Sequence, residues 1–143
     1  MNSSCRELSY QDVALHDHAS FSAIIDEKMV GEFADFSGDL NPLHTNEGYA
    51  LGTEFHGRVA HGMIVGALFS KLIGMYLPGK YSLYLSQTLR FHNPIMIGLE
   101  IIVGGEVVHK TDAHRTVEIH TSAVDTKTKK LLVSGKAIVK LLR

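Results

Sequence analysis

The run GMIVGALFSKLIGMY, residues 62–76, decides the fold. Ile64, Val65, Leu68, Phe69, Leu72, Ile73 and Tyr76 recur at helical spacing and give one long helix a broad apolar surface. Gly62, Gly66, Ser70 and Gly74 fall every fourth residue, so small side chains line one face, where another backbone is expected to approach closely. Each glycine costs a helix roughly 1 kcal/mol relative to alanine, a penalty that deep burial would offset. Pro78-Gly79 ends the helix. Ser70, Lys71 and the glycines leave this stretch too short and too polar to cross a bilayer.

Beyond the helix the pattern changes to alternation. Leu83, Leu85, Gln87, Leu89 and Phe91 share one face of a strand. Ile101 to Val108 is a second strand, with Gly104-Gly105 marking a bulge or bend. Val117, Ile119, Thr121 and Ala123 alternate with Glu118, His120 and Ser122, and Leu131 to Leu142 supplies the last run. Four such strands after one apolar helix predict an α+β protein: an antiparallel sheet curled around a central helix.

Before the helix, Ala19 to Ile25 reads as an opening strand. Asp26 is placed to cap a helix carrying Met29, Val30, Phe33, Ala34 and Phe36, which should stop near Ser37-Gly38. Pro42 predicts an irregular stretch over 39–45 and holds Asn41 out of the helical region. Residues 46–51 form a short helix candidate, followed by a loop through Gly57.

The chain of 143 residues predicts one domain over 1–143, with no repeat or low-complexity tract. A formal net charge of -1 provides no basic field for nucleic acid or anionic lipid, so neither nucleic acid nor membrane is expected as a partner. Lys127, Lys129 and Lys130 read as a solvated turn. The single cysteine, Cys5, excludes an internal disulfide and sits in a polar N-terminal segment expected to be loose. Met1 to Tyr10 lacks a secretory pattern, and the expected location is cytoplasmic.

The segment that carries chemistry is SGDLNPLH, residues 37–44. It sets a carboxylate (Asp39), an amide (Asn41) and an imidazole (His44) on one non-helical loop. Such a pair can hold one water and divide the proton handling when water adds to a double bond conjugated to a carbonyl. Developing negative charge on that carbonyl could be met at Gly62, where free N–H groups and the positive end of the long helix converge. Turn chemistry alone would also explain Asp and Asn beside a proline. The catalytic reading gains because the polar loop occurs with a glycine-opened apolar helix.

The same run resembles the signature of the MaoC-like, or hydratase-2, family of (R)-specific enoyl-CoA hydratases. His61-Gly62-Met63, Leu77-Pro78-Gly79 and Ser86 to Phe91 also resemble that family, in the same order and at similar spacing, so the likeness runs from about Ser20 to Leu142. The resemblance implies a hot-dog fold and a homodimer with a continuous sheet. It implies catalysis by Asp39 and His44, positioning by Asn41, and a Gly62 backbone N–H on the thioester oxygen. The implied reaction interconverts trans-2-enoyl and (R)-3-hydroxyacyl thioesters of CoA or acyl carrier protein, with no metal or redox cofactor. One departure stands out. Some relatives carry a hydroxyl about one turn into the central helix to hold the aspartate; Ala67 cannot do so, and Ser70 lies nearly a turn further on.

Other residues have weaker readings. His16 and His18 would share a strand face, and His109 and His114 flank a turn, but no zinc spacing accompanies them. His56 and His61 flank the approach to the helix, as bordering or as packed residues, and neither is taken as catalytic. Arg58 is either a CoA phosphate ligand or a solvated loop arginine; Lys71 and Lys80 are similar candidates for acidic contact. Gln87 should find a buried hydrogen-bond partner, in its own chain or across a dimer interface. Leu68, Leu72, Tyr76 and Leu83 are candidates to close an acyl tunnel. Two other functions compete: a hot-dog thioesterase, disfavoured because residues 63–76 hold no Asp or Glu, and a non-catalytic acyl-thioester-binding subunit, disfavoured by the retained Asp39 and His44.

Overall fold

The computed structural model describes residues 4–143; Met1 to Ser3, the start of the segment read for a secretory signal, lie outside them. The elements run β1 (His18–Ile24), α1 (Glu27–Ser37), α2 (Pro42–Thr45), α3 (Glu47–Leu51), α4 (Met63–Lys71), a π-helical turn (Leu72–Tyr76), β2 (Ser82–Gln87), β3 (Arg90–Phe91), β4 (Glu100–Thr111), β5 (Thr116–Asp125) and β6 (Leu131–Leu141). The six strands form one antiparallel sheet in the order β1-β4-β5-β6-β2, with β3 also on β6. Against it lie α4 and the π-turn, the hot-dog arrangement.

Burial follows the two periodicities. Ile64, Val65, Phe69, Leu72 and Ile73 of the helix are buried, as are Val117, Ile119, Thr121 and Ala123 along β5. At one end Val65 and Phe69 share a cluster with Ile101, Val103 and Val133; at the other, Ile73 and Leu77 meet Val107, Val139 and Leu141. Burying a side chain of this size contributes about 1.5–3 kcal/mol, so the helix–sheet contact is the main source of stability. No helix among the described residues is long and apolar enough to cross a membrane.

Several local readings hold. Asp26 accepts from the Met29 N–H at 2.8 Å to cap α1, and Gly38 ends that helix at φ 76°. Asn46 caps α3 through the Tyr49 N–H. Gln87 finds its partners inside the chain, donating to Thr121 Oγ1 at 3.0 Å and accepting from the Tyr84 hydroxyl.

Others are corrected. Residues 39–45 are not wholly irregular, because Pro42 opens α2 at a position whose N–H would have no helical partner anyway. The strand expected over 83–91 breaks after Gln87, where the Thr88 hydroxyl, not a backbone carbonyl, accepts from the Lys136 N–H at 2.9 Å. A bulge between Tyr84 and Ser86 also turns Leu83 and Leu85 outward, leaving them about half exposed. The β4 irregularity falls between Val107 and His109, not at Gly104-Gly105; Gly105 instead makes room for the helix, since a Cβ there would lie 3.0 Å from Leu72 Cδ2. On the small-residue face it is side chains, of Phe91 and Leu89, that a Cβ on Gly62 or Gly66 would meet, and among the described residues nothing lies within 4 Å of a Cβ on Gly74.

The N-terminal segment is also less loose than expected. Tyr10 and Val13 are buried, while Cys5 Sγ and the Arg6 N–H donate to the Gly74 and Met75 carbonyls, each at 2.9 Å. Carbonyls at a helix end need such donors, and this segment supplies them.

Candidate active site

Three elements bring the site together. Gly38 turns the chain sharply after α1 and delivers Asp39, whose N–H donates to Ser37 Oγ at 3.1 Å. The Asn41 N–H donates to Asp39 Oδ1 at 3.2 Å, and the Asn41 side chain accepts from the Leu43 N–H at 3.0 Å, capping α2. One helical turn later α2 presents His44. The start of α4 then closes the arrangement, with Gly62 at its N-cap and, among the described residues, no side-chain cap; the Ile64 and Val65 N–H groups donate to the His61 and Gly62 carbonyls.

Asp39, His44 and His61 converge, each offering a carboxylate oxygen or ring nitrogen within 4.8 Å of the others. The Val59 carbonyl lies 2.5 Å from His44 Nδ1. A carbonyl only accepts, so Nδ1 carries the proton and donates, leaving Nε2 as the basic nitrogen. His61 lies under the pair at 2 % exposure, its ring centroid 4.0 Å from that of His44. Its Nε2 is 2.9 Å from the Asp39 carbonyl oxygen and 3.8 Å from Asp39 Oδ2.

A cavity of about 420 Å³ opens beside this group, lined by His44, Phe55, Gly62, Met63, Phe91 and Val133 among others. It is mostly apolar, with the His44 ring and the start of α4 at its wall. Asp39 is about half exposed and lies outside the lining, joined to it through His44 and His61. Asn41 is exposed, and its side chain caps the backbone of α2. Basic nitrogen, carboxylate and uncapped helix start are the parts needed to activate water and to stabilise a developing oxyanion.

Residues expected elsewhere are now placed. Arg58 is neither a solvated arginine nor free for a phosphate: its side chain is 15 % exposed, paired with Glu27 and 3.4 Å from Glu47. Lys71 lies over the Phe21 ring at 4.5 Å, and Lys80 pairs with Glu7 at 3.0 Å. His16 precedes β1 and meets Glu106 at 2.7 Å. None of Leu68, Leu72, Tyr76 and Leu83 lines the cavity; Leu68 faces a separate groove with Phe33 and Phe36. The site gains support for Asp39 that the helix hydroxyl was expected to give, through Ser37, Asn41 and His61. In the sequence His61 reads as a residue bordering the site or packed beside it, not as a catalytic one. Its place next to Gly62 was the one local signal, since its partner Asp39 lies 22 residues upstream.

Three imidazole and carboxylate groups this close can ligate a metal, and among the described residues no other such group occurs. His61 Nε2 is already engaged by the Asp39 carbonyl, however, and ligation through it would move its proton to the buried, unpartnered Nδ1.

Comparison with known proteins follows the same geometry. A family model described as a MaoC like domain matches residues 12–129. The chain is 36% identical over 134 residues to an (R)-specific enoyl-CoA hydratase of Aeromonas caviae, covering 94% of this chain and 99% of that one. It is 33% identical over 137 residues to a 3-hydroxybutyryl-CoA dehydratase of Methylorubrum extorquens, covering 95% of this chain and 85% of that one. The structure of the R-hydratase PhaJ1 from Pseudomonas aeruginosa in the unliganded form superposes with a TM-score of 0.91 at 35% identity, covering 96% of this chain and 87% of that one. By the family match over residues 12–129 and by relatives covered over nearly their whole length, the chain belongs to the MaoC-like family.

Proposed function

We propose that this protein is a hydro-lyase interconverting trans-2-enoyl and (R)-3-hydroxyacyl thioesters, with Asp39 and His44 as the acid–base pair. The observation that carries it is His44, fixed by the Val59 carbonyl with its basic Nε2 left for the site, within 4.8 Å of Asp39 and at the wall of an apolar cavity. In hydration, one water lies between the carboxylate and the imidazole. A C–O bond forms at the β-carbon as one of the pair takes the water proton, and the α-carbon receives a proton as the enolate-like oxygen returns to a carbonyl. The Gly62 N–H at the start of α4 faces that oxygen as charge builds; removing one such donor in other enzymes costs about 3–4 kcal/mol. Asn41 positions the pair by capping α2 and holding Asp39 Oδ1. The step adds one water across the double bond with no net oxidation or reduction, and the Asp39–His44 pair supplies its proton transfers, so it calls for neither metal nor redox cofactor.

The proposed substrates are acyl-CoA thioesters or their acyl-carrier-protein counterparts, since the relatives are named for CoA thioesters and the apolar cavity suits an acyl chain. The whole chain, 1–143, is proposed to be a single domain, supported by one sheet that runs from β1 to β6. A homodimer is proposed through the β2–β3 edge, where Leu83, Leu85 and Phe91 are exposed on strands that end the sheet. The compartment proposed is the cytoplasm, consistent with a lone free Cys5. A thioesterase is disfavoured because no carboxylate lies on α4 or the π-turn.

The test is loss of the ultraviolet enoyl absorbance of a short trans-2-enoyl-CoA, with Asp39→Ala and His44→Ala beside the wild type. The expected result is turnover to the (R)-hydroxyacyl product that falls about 10²–10⁴-fold in each variant. Folded wild-type protein inactive on both CoA and carrier-protein substrates would favour the binding-subunit reading.

A further inference from the structure

The strongest unexplained feature is a polar side chain where an apolar one would pack better. His61 is 98% buried by its 2 % exposure, between the rings of His44 and Phe33, whose centroids lie 4.0 and 4.8 Å away. Its Nδ1 is buried and has no hydrogen-bond partner among the described residues. Leaving a ring nitrogen unpaired in such a place costs stability, and a phenylalanine of similar size would avoid that cost.

What the imidazole does that phenylalanine cannot is donate from Nε2 to the Asp39 carbonyl oxygen at 2.9 Å. That oxygen only accepts, so Nε2 carries the proton and the unpaired Nδ1 is the bare nitrogen. Asp39 lies on an exposed loop just after a left-handed turn at Gly38, and this bond ties its main chain to the start of α4. The face of the same ring supports His44, whose edge is held by Val59. One buried side chain thus touches both members of the pair and adjoins Gly62.

We propose that His61 is a positioning residue for the reaction, setting the spacing of Asp39 against His44 and of both against the start of α4. The inference rests on the reading of Asp39 and His44 as the acid–base pair. His61 itself touches no reacting atom, because its one proton is committed to the Asp39 backbone and its other nitrogen faces the protein interior.

Phenylalanine and glutamine at position 61 separate this role from simple packing. His61→Phe keeps the ring and removes the donor; His61→Gln restores a donor near the place of Nε2. The measurements are kcat, KM and melting temperature for wild type, both variants and Asp39→Asn/His61→Phe. His61→Phe is expected to melt no lower than wild type yet lose about 10- to 100-fold in kcat, with KM changed by less than about threefold. His61→Gln should recover a large part of that kcat, and the double variant should be no slower than Asp39→Asn alone. Wild-type kcat in His61→Phe would overturn the inference, as would a kcat loss that tracks a falling melting temperature and is not recovered by glutamine. A wild type inactive on enoyl thioesters would overturn the acid–base reading together with this one, whereas an active wild type with an unaffected His61→Phe would overturn this one alone.

Discussion

Phe91 lies across Gly62 so closely that a Cβ on the glycine would fall 2.7 Å from the ring carbons Cδ1 and Cε1. The ring is half exposed and so can swing away, at the expense of the cavity wall it forms. Gly62→Ala is therefore expected to cost no more than about 1–2 kcal/mol in stability. Its kcat/KM should fall by at least about tenfold if, as proposed, the Gly62 N–H meets the developing oxyanion, since the displaced ring and backbone would move that donor. Thermal melts and steady-state kinetics check this, and Gly62→Ala/Phe91→Ala should regain part of the loss.

Asn41 caps the four-residue helix that carries His44. Removing a cap of this type costs about 1 kcal/mol. In Asn41→Ala the melting temperature should fall by a few degrees, while kcat falls more than KM rises because His44 and Asp39 lose their shared support. A rise in KM alone would show that Asn41 contacts substrate and does not position the pair.

Arg58 is held by Glu27 and Glu47 between α1, α3 and the loop before α4. Arg58→Leu removes both ion pairs, but the carboxylates left behind are mostly exposed, so it should destabilise the protein by no more than about 1 kcal/mol. Its KM for an enoyl-CoA should match its KM for the corresponding N-acetylcysteamine thioester as closely as in wild type. A loss specific to the CoA ester would restore the phosphate role that the ion pairs argue against.

The Asp125 carboxylate sits at the β5–β6 turn, where the Lys127 N–H and the Thr128 hydroxyl donate to it and hold its pKa below the ordinary carboxylate value. A lowered folded-state pKa stabilises at any pH above the unfolded value, and that contribution is lost as pH falls through the folded one. Wild-type melting temperature should therefore drop more steeply than that of Asp125→Asn on acidification from pH 5 to about pH 2–3. Parallel curves would remove Asp125 from the acid response.

Leu85 projects from the edge strand β2 at 53% exposure. If that edge pairs with a second copy, Leu85→Glu sets two like charges near the two-fold axis and should shift sedimentation from dimer to monomer. An unchanged dimer would place the interface elsewhere.

The parts of the fold written in local chemistry were readable from the chain. Asp26, Gly38 and Asn46 each act within one helical turn, and the two periodicities mark the helix and β5 directly. Readings failed where a distant partner decides. Lys136 breaks the strand at Thr88, Leu72 uses the space at Gly105, and helix carbonyls order Cys5 and Arg6. Pro42 was read as a breaker although the same ring favours the first helical position. In the site, Asp39, Asn41 and His44 sit within six residues and were legible together. His61 was not, because its bond to Asp39 spans 22 residues and its burial depends on Phe33 of another helix.

The central helix ends in a π-helical turn, Leu72–Tyr76, directly after Lys71. One extra residue in a turn rotates everything downstream by about 100° relative to a continuous α-helix. The nine residues of α4 can answer to the cavity and its loop, while the turn answers separately to β1, where Tyr76 stacks on Phe21 at 5.4 Å. Deleting one residue from 72–76 would return this last turn to the phase of α4, pull Tyr76 off Phe21 and leave Gly62 and its cavity in place.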